Sequence, residues 1–264
     1  AVNKLRERGR YVMEPETGKL ASLHDGEGRL PTIDGIMNEI RSLFNNELPL
    51  IGKRVLISAG PTREAIDPVR YISNRSSGKM GYALAEVARD LGANVTLISG
   101  PVSLPKIPEV KIVMVESALE MLSELENAID EKDADYLIMA AAVADYHPTN
   151  PSTEKLKREN STAILDLTPS PDILKIINPQ TQATIVAFAL ETQNGTSEAM
   201  RKMDDKGADF IVLNYANEIG AGFESNTNRV QIFSKNKTQI ELKKDRKDRI
   251  AKRIFDFILV DKNR

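Results

Sequence analysis

Short β-branched runs alternate with helix-period patterns through most of this chain, and that alternation restricts its fold more than any other feature. The runs cover 54–58, 94–99, 111–115, 136–140, 184–188 and 209–213, each the length of one buried strand. Helical patterns lie between them at 81–90, 118–129, 171–177 and 196–206. Ser117 and Thr196 are natural caps, and Gly92 and Gly207 natural stops. Such alternation predicts a mostly parallel sheet covered by helices on both faces. The tail departs from it. Residues 229–242 read as a hairpin turning near Lys235-Asn236-Lys237, and 245–259 as a basic helix whose charges form a solvated face, with Ile250, Ile254 and Ile258 as its buried stripe.

The connection after the first run is long and polar: SAGPTREAIDPVRYISNRSSGKMG, from Ser58 to Gly81. A plain strand-to-helix turn would be shorter. Ser76, Ser77 and Gly78 leave backbone N–H groups open where a helix starts, a place that favours phosphate through hydrogen bonds and the helix dipole. Two standard phosphate motifs are absent. A dinucleotide fingerprint needs G-x-G-x-x-G, and the chain has AGPTRE; the second run also ends without an acid for a ribose hydroxyl. Gly78-Lys79 resembles part of a P-loop, but Ser73 and Met80 occupy its other required positions.

Composition closes off other classes. Among 264 residues there is no cysteine, which excludes disulfides, thiolate catalysis and Cys-ligated zinc. Two histidines, His24 and His147, leave little material for a metal cluster or a catalytic triad. A net charge of −2 gives no reason to expect nucleic acid or an anionic membrane, and no apolar run is long enough to span a bilayer. The expectation is a cytoplasmic enzyme with no nucleic-acid or membrane partner.

The 58–81 connection, AAVADY at 141–146 and EKLK at 154–157 together resemble phosphopantothenoylcysteine synthetase, the synthetase half of a bifunctional coenzyme A enzyme. The resemblance runs from about Gly52 to Ile258. It implies an α/β, Rossmann-like fold with a C-terminal hairpin, a ligase domain over 50–264, and a homodimer. For residues 1–49 it implies a remnant of a decarboxylase tail, with Gly26, Gly28 and Arg29 but no cysteine near Ser22, and a linker helix over 31–44. The full-length protein would then be fused to, or associated with, a flavin decarboxylase, while FMN would be absent from this fragment.

Taken alone, Asn74 is either a turn residue or an amide donor beside the phosphate loop. The resemblance implies a catalytic role for Asn74 and for Lys155 of EKLK, the latter also contacting nucleotide. Arg70, Ser76, Ser77 and Gly78 are expected to bind substrate. Met139, Ala140, Ala141 and Asp145 would line a nucleotide site, Asp145 accepting from an N–H or a hydroxyl. Pro171, Asp172, Ile173 and Leu174 would present a helix start to it, with Phe188, Lys202 and Lys206 completing the site. Residue by residue, the plainer readings are core packing for Phe188 and solvation for the lysines.

The expected function is ligation of 4′-phosphopantothenate with cysteine through an acyl-cytidylate, with CTP as co-substrate and Mg²⁺ on the triphosphate; metal ligands in the protein are not identifiable. Rival readings are an ATP-dependent form of the same ligase, a nicotinamide-dependent oxidoreductase and a nucleotide sensor.

Overall fold

The computed structural model describes residues 2–19, 25–44, 48–158, 164–191, 195–215 and 225–262. The chain divides into two compact units, Ala1–Ile51 and Gly52–Arg264. The first holds α1 (Val2–Glu7), an antiparallel pair β1 (Glu16–Lys19) and β2 (Asp25–Arg29), and α2 (Ile33–Phe44). Thr32 starts α2 by accepting the Gly35 N–H on its hydroxyl at 3.1 Å. Ser22 and His24 lie outside the described residues.

The second unit runs β3 (Arg54–Ala59), β4 (Arg63–Ala65), β5 (Tyr71–Ser73), α3 (Lys79–Asp90), β6 (Asn94–Ser99), β7 (Lys111–Met114) and α4 (Ala118–Glu131). It continues with β8 (Tyr136–Met139), β9 (Tyr146–Pro148), β10 (Leu167–Pro169), α5 (Ile173–Ile177) and β11 (Thr184–Glu191). Then come α6 (Gly195–Lys206), β12 (Phe210–Tyr215), β13 (Thr227–Ser234), β14 (Gln239–Arg246) and α7 (Lys247–Lys262). Eight strands form one sheet in the order β14-β13-β12-β11-β8-β3-β6-β7. Six pair in parallel, and β13 and β14 add an antiparallel end. This is the Rossmann-like α/β architecture that the alternation predicts.

Each face of the sheet is buried by helices of matching pattern. On one, Met121, Leu125 and Ile129 of α4 pack with Leu174 and Ile177 of α5 and Ala199 and Met203 of α6 over Leu56, Leu137 and Ile185. On the other, α3 packs on β3, β6 and α7. Gly81 permits that approach, since a Cβ there would lie 2.4 Å from the Ala59 Cβ. The stripe of α7 is as the sequence predicts, with Ile250, Ile254 and Ile258 fully buried.

Local differences have local causes. Ser117 caps α4 by accepting the Glu120 N–H, but Thr196 lies inside α6, which begins at Gly195. The long connections contain two small antiparallel pairs, β4 with β5 and β9 with β10, which the alternation does not announce because each strand is only three residues long. No helix among the described residues is long and apolar enough to cross a membrane.

Candidate functional site

In sequence order the six parallel strands stand 3-2-1-4-5-6, so the direction of winding reverses between β3 and β8. Loops leaving the carboxyl ends of two such strands diverge and leave a crevice. Here they are also stitched together. Pro61 forms a parallel bridge with Ala142, the Ala142 N–H donates to the Gly60 carbonyl at 2.8 Å, and the Ala144 N–H donates to the Thr62 hydroxyl at 3.0 Å. A cleft of about 580 Å³ opens beside this seam.

Its walls come from six places. Met139 to Asp145 form a shelf of small side chains after β8. Ser77, Gly78 and Lys79 bring the start of α3 to the cleft. Gly78 is the N-cap of that helix with φ 74°, no side chain caps it, and a Cβ at Gly78 would lie 2.6 Å from Val102 Cγ1. Only glycine gives this backbone without strain, and the first-turn N–H groups of α3 are left without a side-chain cap. Pro171 to Leu174 present the start of α5, Ala187 to Leu190 the end of β11, and Lys202 and Lys206 one side of α6. The remaining wall is Asn214, Asn228 and Lys247.

The four lysines differ in company. Lys202 Nζ pairs with Glu191 at 2.6 Å and Lys206 Nζ with Asp172 at 3.4 Å. Lys79 Nζ instead donates to the Asn226 amide oxygen at 2.7 Å. Lys247 is only 7 % exposed, and burial, followed by the neighbouring Lys79 ammonium, pushes its pKa down to about 8.

Most residues expected in a site do meet in this cleft: Asn74, Ser77, Gly78, the shelf residues Met139, Ala140, Ala141 and Asp145, the PDIL segment, Phe188, Lys202 and Lys206. Asn74 donates its amide to the carbonyls of Ala142 and Val143, at 3.2 and 2.9 Å, and so holds the shelf against the connection after β3. Arg70, Ser76 and Lys155 are not among the lining residues. Ser76 accepts the Gly78 N–H at 3.3 Å and shapes the turn. The Arg70 fork lies on Asp67, with Nε and Nη2 at 3.0 and 2.5 Å from Oδ2, and Nη2 also donates to the Leu156 carbonyl at 2.8 Å. Asp67 Oδ2 accepts the Leu156 N–H at 3.1 Å, so this ion pair anchors the segment that carries Lys155. The Arg70 guanidinium, helped by the N–H groups of Val69, Leu156 and Arg70, holds the Asp67 carboxyl far below the usual carboxylate range.

Sequence reasoning misses Asn214, Asn228 and Lys247. For Lys247 a signal exists: it stands on the same helical face as Ile250, Ile254 and Ile258, the buried stripe of α7. Among the described residues no group of three or more His, Asp or Glu side chains is placed to hold a metal.

Residues 50–260 match the family described as DFP, the DNA/pantothenate metabolism flavoprotein C-terminal domain. A cysteine/cysteine sulfinic acid decarboxylase from an unknown prokaryotic organism is 42% identical over 90% of this chain and 68% of its own length. The coenzyme A biosynthesis bifunctional protein CoaBC of Bacillus subtilis (strain 168) is also 42% identical, over 91% of this chain and 60% of its own length. This chain therefore spans about three-fifths of that bifunctional relative. A crystal structure of the C-terminal domain of a CoaBC protein is 39% identical, with a TM-score of 0.68, covering 81% of this chain and 97% of that one. At 17% identity, a Cab2 mutant in complex with phosphopantothenate-cysteine shares the fold, with a TM-score of 0.63 over 86% of this chain and 92% of that one.

These findings correct the functional expectations. The family description is of a flavoprotein and the first relative is a decarboxylase. The reading as a phosphopantothenoylcysteine synthetase is overturned. With it go CTP-dependent ligation, its ATP and nicotinamide alternatives, Mg²⁺, the ligand set of phosphopantothenate, cysteine and CTP, and the expectation that FMN is foreign to this chain. The physical reason is that the motifs behind that reading are recognition chemistry. An uncapped helix start, a small-residue shelf and nearby lysines suit a phosphate and a flat ring whatever reaction follows.

Proposed function

The chain belongs to the DNA/pantothenate metabolism flavoprotein C-terminal domain family, and from that premise we propose that the cleft beside the β3–β8 crossover binds phosphopantothenoylcysteine. The observation that carries the reading is one cleft lined by two lysine pairs, Lys202 with Lys206 and Lys79 with Lys247, and by a shelf of small residues. Phosphopantothenoylcysteine has a phosphate monoester at one end, a carboxylate at the other and two amides between. Each lysine pair suits one anionic end, and alanines at 140–142 let the ligand's amides approach backbone groups. The fold relative that carries phosphopantothenate-cysteine supports the same choice. Asn74 acts here as a positioning residue, through the two shelf carbonyls it holds. A role in coenzyme A biosynthesis and a cytoplasmic setting are parts of the same proposal.

The lining also fits, in chemistry, the flavin that the family description implies. Ala140, Ala141 and Phe188 of the lining would hold its ring. A bound flavin supplies reversible uptake of electrons at its ring. What the chain itself contributes is binding and orientation; with no cysteine anywhere in its sequence it brings no thiol to the ligand.

Calorimetric titration tests the reading. Phosphopantothenoylcysteine is expected to bind one per chain, and its dephosphorylated analogue about tenfold or more weakly, the loss of a charge-assisted contact. No heat with either compound overturns it. Titration with FMN, followed by quenching of flavin fluorescence, locates the cofactor. Saturation at one per chain places it in this domain, and no quenching leaves it to the part of the relatives that this chain does not span.

A further inference from the structure

We propose that Asn214 is a specificity-determining residue of the cleft, its side-chain amide held so that the NH₂ is offered to an uncharged carbonyl oxygen of the ligand. The proposal deepens the reading above and rests on it for the ligand. The acceptor is an amide carbonyl of phosphopantothenoylcysteine or, from the other source the family description allows, a ring carbonyl of a flavin.

Asn214 follows an apolar stretch. In β12, Phe210, Ile211, Val212 and Leu213 are each at most 4 % exposed, and Asn214 comes next, half-buried, near the carboxyl end of the last parallel strand. Open α/β sheets place ligand-contacting groups at such ends. Asn214 also lines the cleft, together with Asn228 of β13 and Met80 of α3. An amide there costs desolvation that an apolar side chain would not, unless hydrogen bonds use it.

Its orientation follows from the partners of its neighbour. An Asn side chain is an acceptor at its oxygen and a double donor at its nitrogen, and the two are told apart by what they bond. Asn228, 4 % exposed, receives the Arg229 backbone N–H on Oδ1 at 3.0 Å, and a backbone N–H can only donate. The Nδ2 of Asn228 must therefore face the other way. It donates to Asn214 Oδ1 at 3.3 Å and approaches the Met80 sulfur at 3.9 Å. The side-chain groups of Asn228 are thus spent within the chain. Those of Asn214 are not. Its Oδ1 is taken by Asn228, and among the described residues no acceptor is placed for its NH₂. Turning the Asn214 amide over would set two NH₂ groups against each other and lose the bond, so the donor is fixed.

A fixed, uncharged donor suits an uncharged acceptor. The anionic ends of the ligand have the lysines of the cleft, whereas a neutral carbonyl between them needs direction rather than charge. Discrimination follows, because a site that offers a buried donor is penalised when the ligand brings no acceptor to it.

Two measurements on the full chain test this. In the ligand-free protein, side-chain amide exchange followed by NMR should be about tenfold or more faster for Asn214 than for Asn228. Equal protection of the two overturns the proposal. Calorimetric titration with phosphopantothenoylcysteine and, separately, with FMN then identifies the acceptor. Asn214→Asp keeps the size and replaces the NH₂ by an oxygen. It should weaken binding of the compound whose carbonyl is read by about tenfold or more at pH 7, and regain affinity as pH falls and the carboxyl takes up a proton. Asn214→Ala carries the test if Asn214→Asp does not fold. FMN binding that depends on Asn214, with no binding of phosphopantothenoylcysteine, supports the proposal and overturns the reading above. Phosphopantothenoylcysteine binding equally strong in wild type and both Asn214 variants, with FMN binding equally unchanged or absent, supports that reading and overturns the proposal. If wild-type protein binds neither compound, both fall.

Discussion

Asp67 and Lys247 are both charged and both nearly inaccessible, at 3 % and 7 % exposed, yet the protein treats them in opposite ways. Asp67 receives the Arg70 guanidinium and the backbone N–H groups of Val69, Arg70 and Leu156. Its charge is fully serviced from within the chain, and its carboxyl is held far below the ordinary range. Lys247 has an ammonium of the same sign as its neighbour, and burial with that neighbour pushes it down to about 8. The first arrangement closes on itself and fastens the segment around Leu156. The second lines the cleft at the start of α7. A buried carboxylate that receives a guanidinium and several N–H groups acts as a fastening within the chain.

Removing the serviced charge should have the largest effect. Asp67→Ala strips the acceptor from three backbone N–H groups and from Arg70, and a fall in Tm of roughly 5–10 °C is expected by scanning calorimetry. A depressed carboxyl stabilises the fold above the ordinary carboxylate pKa of about 4, and that contribution is lost as pH falls through the folded value. Wild-type Tm should thus drop more steeply than the variant's between pH 4 and 2. Parallel curves would mean that Asp67 is not the anchor described here.

For Lys247 the sign reverses. Its folded pKa of about 8 lies below the model value of 10.5, so between those limits the unfolded chain holds a proton that the folded one has lost. Wild-type stability should rise with pH across that window. Lys247→Met should be more stable than wild type at pH 7 by about 3 kcal/mol, the order set by a shift of that size, with the gap closing towards pH 10.5. Urea unfolding at pH 7 and pH 10 measures both. A variant less stable than wild type at pH 7 would show that burial does not weigh on the Lys247 ammonium and would break the contrast.

The smallest effect belongs to Lys79→Met. Removing the like charge should move the pH at which wild-type stability rises upward, towards the ordinary lysine value, and stabilise the fold at pH 7 by about 0.5 kcal/mol. An unmoved midpoint would leave burial as the sole cause of the Lys247 shift.

The sheet was legible because its signals are local. Runs such as 94–99 and the α7 stripe at Ile250, Ile254 and Ile258 carry their period in the sequence, and the structure reproduces them. Strands of three residues have no period to read, so β4, β5, β9 and β10 were invisible. At the site, small residues and the helix start announced the shelf and α3. Arg70 and Lys155 are not among the residues that line the cleft. In the fold the Arg70 fork is spent on Asp67, and the backbone next to Lys155 is fastened by the same pair. The functional reading failed for a related cause: residue types that hold a phosphate do not report what becomes of it.

By itself the sequence determined the class of fold, the long phosphate-suited connection after β3 and the absence of thiol chemistry, since each follows from local pattern or composition. Only the tertiary structure decided which charges face the cleft. Lys247 stands 168 positions after Lys79, and Asn226 brings them together through two hydrogen bonds that no sequence period encodes. Whether a lysine is a solvated tail or part of a binding wall depends on what surrounds its ammonium, and that is set by packing between elements distant along the chain.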